Sequence, residues 1–137
     1  MHTTSEARCR HRRVAARGER GSTSIQMVLL LPALFAVMFL GMQAALYYHA
    51  RSIALASAQE GARAAGAENG TTSAGVSTAR DYLTDTAGDA LSGARVTGSR
   101  SATTATITVR GTPLSVVPGW APPVTQSATV TVERITQ

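Results

Sequence analysis

From Ile25 to Tyr48 the chain holds no charged residue. Wound as a helix, this run would extend about 36 Å at about 1.5 Å per residue, enough to cross the roughly 30 Å hydrocarbon layer of a bilayer with some tilt. A span of that size limits everything else the chain can build. It removes a large part of the 137 residues from any water-soluble core and leaves about ninety after His49, which suffices for one small domain.

The net charge of +5 is concentrated on one side of this run. Ahead of it stand Arg8, Arg10, Arg12, Arg13, Arg17 and Arg20 against Glu6 and Glu19, whereas seven arginines meet six acids in the remainder. Arginine beside an apolar span is held on the cytoplasmic side, and aromatic rings such as Tyr47 and Tyr48 settle at the opposite interface. The expectation is a single-pass protein of the cell membrane, in contact with membrane lipid, N-terminus cytoplasmic and C-terminal domain extracytoplasmic. The basicity therefore reads as topology. No aromatic-basic face or helix-turn-helix pattern accompanies it, so no nucleic-acid partner is expected. Cys9, the sole cysteine, cannot form an intramolecular disulfide.

Two export signals compete with a permanent span. Ala54-Leu55-Ala56 offers a small-x-small cleavage site, late after an apolar run longer than a secretory signal needs. Arg12-Arg13 suggests a twin-arginine signal but lies well ahead of the run. Pro32, inside the run, removes a helical hydrogen bond, a defect that membrane helices tolerate, and a kink is expected there.

Beyond the span the pattern stays helical, with small residues at every fourth position: Ala50, Ala54, Ala58, Ala62 and Gly66. Ser57, Gly61 and Ala65 form a neighbouring row. Such a face lets helix backbones approach closely, either those of partner helices or those of this protein's own elements. Asn69-Gly70 marks a turn within a loop, residues 68–75. Val76, Ala79, Leu83, Ala87, Ala90 and Leu91 predict a second helix ending at Ser92-Gly93. Asp81, Asp85 and Asp89 share its other side and read as a solvated face, with a divalent-ion site as the sharper alternative. Alternation places Ala105, Ile107 and Val109 on one face of a strand over residues 104–110, and Ala128, Val130 and Val132 on one face of another over 127–134, with a third strand around 95–98. Pro118, Pro122 and Pro123 keep the intervening segment a loop, from which Trp120 either covers the small core or meets a partner.

The expected fold is α+β. A long transmembrane helix (25–48) follows a basic leader (1–24) and continues into a juxtamembrane helix (49–66). The external domain (67–137) then holds a second short helix and a small antiparallel sheet of two to three strands.

On the residues alone, Gly21 is a flexible leader residue and Gln26 a polar residue near the helix start. The series Gly21-Ser22-Thr23-Ser24-Ile25-Gln26-Met27 running into Leu30-Leu31-Pro32, followed by Glu60-Gly61-Ala62-Arg63, resembles the TadE-like family, the minor pseudopilins of tight-adherence pili. The likeness covers residues 18–66. It implies a structural role in pilus assembly or secretion, partners among other pilin-like subunits or the pilus machinery, and a prepilin peptidase cutting between Gly21 and Ser22. The family's fifth residue after the processing glycine is usually glutamate, thought to pair with a neighbouring subunit's freed amine; Gln26 keeps the hydrogen bonding but not the charge. The competing function is a secreted or surface-anchored small binding module.

Catalytic chemistry is sparse. His2, His11, His49 and Cys9 form no metal-ligand spacing, and there is no phosphate loop, dinucleotide fingerprint or nucleophile elbow. No enzyme activity, cofactor or metal is expected.

Overall fold

The computed structural model describes residues 19–133, with side chains described from residue 24 onwards. Residues 1–18 of the basic leader, with Cys9, lie outside the described residues, and its last six residues, 19–24, form the start of α1. The elements are α1 (Glu19–Gly66), α2 (Thr72–Thr86), a 3-10 turn (Gly88–Ala90), β1 (Leu91–Arg100), β2 (Thr104–Pro113) and β3 (Val124–Thr131). The fold is α+β as expected: a long N-terminal apolar helix, a second helix and a three-stranded antiparallel sheet.

The chain divides into two compact units, Met1–Phe35 and Ala36–Gln137. In the first, α1 is assigned as helix through Pro32. The side chains of Ile25, Met27, Val28, Leu29 and Leu34 are exposed. A helix with large apolar side chains facing outward gains nothing from water, and α1 is long and apolar enough to be a candidate membrane span.

In the second unit the remainder of α1 forms one wall of a core shared with α2 and the sheet. Ala50, Ala54, Ala58, Ala62 and Ala65 are fully buried, together with Ala79, Ile107, Val109 and Val124. Alanine and glycine on α1 let α2 approach at backbone range, and larger apolar residues come from the sheet and from Ile53 of α1 and Leu83 of α2. Ile107 is the largest fully buried side chain.

Local signals explain the element ends. Gly70 N–H donates to the carbonyl of Ala67 at 2.8 Å, closing the turn announced by Asn69-Gly70. Thr71 then caps α2, its hydroxyl accepting from Ala74 N–H at 3.1 Å, which satisfies one of the orphan donors of the first turn. The helix thus begins at Thr72, inside the segment expected to be loop.

The expected end of this helix was misplaced. Ala79, Leu83 and Ala87 do face the core, but α2 stops at Thr86. Gly88 follows with φ of 47°, a left-handed conformation at which helices commonly end. Leu91 continues the four-residue spacing by coincidence; it is buried as the first residue of β1. Gly93, read as a helix terminator, has φ of 59° and lies where the β1–β2 register shifts between Ser92 and Arg95. It therefore sits in a bulge, where glycine accepts the left-handed conformation.

The sheet is a meander of order β1-β2-β3. Ala105, Ile107 and Val109 of β2 are buried, and Ala128 and Val130 of β3 pack at the core's edge. On the opposite face Thr106 meets Thr129 at 2.8 Å and Thr108 meets Ser127 at 3.0 Å, hydroxyl to hydroxyl, between directly paired residues. The second strand expected in the tail starts earlier than its alternation suggested, at Val124, and ends at Thr131.

The strands share an end-to-end order with α1. At one end, Arg100 Nε donates to the carbonyl of Ala65 at 2.8 Å and Glu133 N–H to that of Gly66 at 2.9 Å, supplying donors to the terminal carbonyls of α1. At the other, the loop leaving β2 reaches Gln43. Ten strand residues at about 3.3 Å each cover nearly the length of the α1 segment between these two ends.

Candidate functional site

Gly21 and Ser22 lie in the opening turns of α1, and Gln26 one turn further on. Gln26 is exposed, between exposed Ile25 and Met27.

The small-residue face occupies a different place. Ala50, Ala54, Ala58, Gly61, Ala62 and Gly66 are all buried in this protein's own unit. A Cβ added at Gly61 would lie 2.5 Å from the carbonyl oxygen of Gly75 and 2.8 Å from Ala79 Cβ; one at Gly66 would lie 2.5 Å from Val130 Cγ2. Ser57, on the adjacent row, donates from Oγ to the carbonyl of Ala79 at 2.8 Å. Of the two readings left open for this face, the protein's own elements are the ones that approach it: α2, β2 and β3 pack there. In the Glu60-Gly61-Ala62-Arg63 series, Gly61 and Ala62 point inward while Glu60 and Arg63 pair at 2.7 Å on the exposed side.

Gln43 forms a site that the sequence reading missed. Its side chain is 1% exposed. Its Oε1 accepts from Val116 N–H at 2.8 Å and Ser115 Oγ–H at 3.1 Å, and more distantly from Val117 N–H at 3.4 Å. Ser115 Oγ also lies 2.8 Å from the carbonyls of both Val117 and Trp120. Gln43 thus holds the 114–123 loop against α1. Its Nε2 is buried without a hydrogen-bond partner among the described residues, an arrangement that costs stability unless the local geometry compensates. The available sequence signal was a second lone amide inside the uncharged run.

Trp120 does not cover the core. It is 54% exposed and lines a recess of about 260 Å³ with Leu40, Gln43, Ala44, Tyr47, Tyr48 and Pro122. The rings of Tyr47 and Tyr48 meet edge to face at 6.0 Å. Asp81, Asp85 and Asp89 are exposed, and among the described residues no three acids, histidines or cysteines gather as a metal site.

The family model described as TadE-like protein matches residues 21–63. Over this segment the chain is similar to the TadE-like family. The match begins at Gly21 and ends at Arg63, so it takes in both motifs that carry the resemblance. It lies wholly within α1; α2 and the sheet fall outside it. No curated protein and no solved structure matches the chain.

Proposed function

We propose that this protein is a membrane-anchored minor pseudopilin, a structural or assembly component of a tight-adherence pilus or a related secretion system. The observation that carries this reading is the coincidence of the TadE-like match with one continuous helix. Its first part exposes large apolar residues, and its second part is the packing wall of a small α+β unit. Such a chain is built to hold a compact domain at a membrane and to offer an apolar helix to neighbours.

The arginine-rich leader supports a cytoplasmic N-terminus and an extracytoplasmic domain. Pilin-like subunits and the pilus machinery are the proposed partners, with a prepilin peptidase acting at Gly21-Ser22. Because the small-residue face is internal, association with other subunits falls to the exposed apolar part of α1 and the amide of Gln26.

Deleting the gene in its native host tests the proposal. Pili or secretion of their cargo should be lost and restored by the gene in trans, while a periplasmic-type reporter fused after Gln137 should be active. Normal piliation in the deletion strain would reject the assembly role; a reporter active only in the cytoplasm would reject the topology.

A further inference from the structure

Between Arg110 and Glu133 the chain has no charged residue, and the loop in its middle, residues 114–123, exposes apolar groups. Leu114 is 49% and Trp120 54% exposed, and Tyr48, which shares a recess with Trp120, 64%. The loop contains three of the chain's five prolines. Such exposure in a loop clamped by a buried amide asks for a covering partner.

The position of the clamp along α1 identifies that partner. Large exposed aliphatic and methionine side chains on α1 end at Met42, with Tyr48 exposed further on, and the residue after Met42 is the buried Gln43 that holds the loop. From Ile25 to Met42 is about 27 Å of helix, close to the roughly 30 Å of a hydrocarbon layer. Trp120 shares its recess with Leu40 and Ala44, so it stands at the depth where such a span ends. Tryptophan and tyrosine favour that depth, because their apolar rings carry one polar group.

Charge on the sheet agrees. Arg95 and Arg110 are exposed and directly opposed on β1 and β2, a like-charged pairing that is unfavourable on its own. They line a recess with Gly93, Thr112 and Pro123, on the side of the sheet where the loop begins and ends. The phosphate of a phospholipid headgroup would relieve that repulsion. Exposed Asp89 stands in the 3-10 turn that leads into Leu91 of β1, the residue paired with Pro113 just before the loop.

We propose that the 114–123 loop is bedded in the phospholipid interface at the C-terminal end of the span, with Trp120 and Leu114 as its immersed residues. The bilayer surface then lies near Gln43 rather than beyond Tyr48. The loop is a second membrane contact, which restrains the domain against tilting about α1. This inference rests on α1 crossing the membrane.

Trp120 is the sole tryptophan, so the full chain reports on itself. It is reconstituted at low density in phosphatidylcholine vesicles with brominated acyl chains. Its emission should be blue-shifted, quenched by bromines near the ester carbonyls more than by bromines at the chain ends, and shielded from aqueous acrylamide. A chain carrying Trp120→Phe and Ser101→Trp moves the probe to the β1–β2 turn and should give water-like, acrylamide-sensitive emission. Water-like emission from Trp120 in protein that floats with vesicles would overturn the proposal. So would shielding without lipid quenching that grows with protein density, which would assign the loop to a second copy. Failure to float would reject the membrane span, and this inference with it.

Discussion

Gly61 of α1 and Gly75 of α2 face each other at backbone range: a Cβ built on either would lie 2.5 Å from the other's carbonyl oxygen. The contact joins the C-terminal part of the TadE-like segment to the first helix outside it. It also decides what the small residues of α1 are for, since a face in contact with α2 and Ile107 is closed to partner helices.

Gly61→Ala and Gly75→Ala should each destabilise the domain by about 1–3 kcal/mol, the usual range for overpacking. Alanine's higher helix propensity offsets up to about 1 kcal/mol of this, but the opposing atoms are backbone and cannot move aside. Gly61→Leu should prevent stable folding. Urea unfolding of the detergent-solubilised protein followed by circular dichroism measures both, and a Gly61→Leu chain as stable as the parent would contradict the packing described.

Gln43→Leu should free the 114–123 loop without unfolding the rest. The substitution keeps an apolar stem but leaves Val116 N–H without its acceptor, while Ser115 Oγ–H retains the carbonyls of Val117 and Trp120; one buried unsatisfied donor costs about 1–3 kcal/mol. Limited proteolysis should cut between Leu114 and Pro123 faster in the variant, with amide exchange in β2 unchanged. Equal cleavage rates would mean that the loop is held by something other than Gln43.

Arg100→Lys should loosen the end of α1. The guanidinium donates from Nε to the carbonyl of Ala65, with NH2 at 3.4 Å from that of Ala67, a forked arrangement that a lysine ammonium does not reproduce. A cost of about 1 kcal/mol is expected, seen as faster amide exchange over residues 63–70. Arg63, paired with Glu60 on the exposed side, provides the contrast: Arg63→Ala should change stability by about 0.5 kcal/mol or less.

Intact mass of the membrane-extracted protein tests processing. A chain beginning at Ser22 is expected, with the leader arginines removed and a free amine four residues before Gln26. An amide accepts a hydrogen bond from such an amine more weakly than a carboxylate does, so Gln26→Glu should strengthen self-association in cross-linking assays of the processed chain. A retained leader would make this an uncleaved anchor. An N-terminus at Ser57 would fit the secretory-signal alternative.

Periodicity alone was enough for the elements that bury a regular stripe. The four-residue spacing of Ala50 to Gly66 and the alternation of Ala105, Ile107 and Val109 each repeat often enough to specify helix or strand and the buried face, and the length of the uncharged run marks a helix that could span a bilayer. The motifs around Gly21 and Glu60 likewise sufficed for the TadE-like likeness, because the matched segment is one continuous helix and needs no tertiary context. What covers the buried faces was decided only when the chain folded back. Gly61 reads the same whether the approaching backbone belongs to a partner or to Gly75, fourteen positions away, since a small side chain specifies closeness without specifying its neighbour. Leu91 fitted a helical period until the left-handed Gly88 ended the helix before it. Gln43 showed only an isolated amide, and its three donors come from residues 115–117, brought to it by the length of β2 and by the antiparallel return of the sheet along α1.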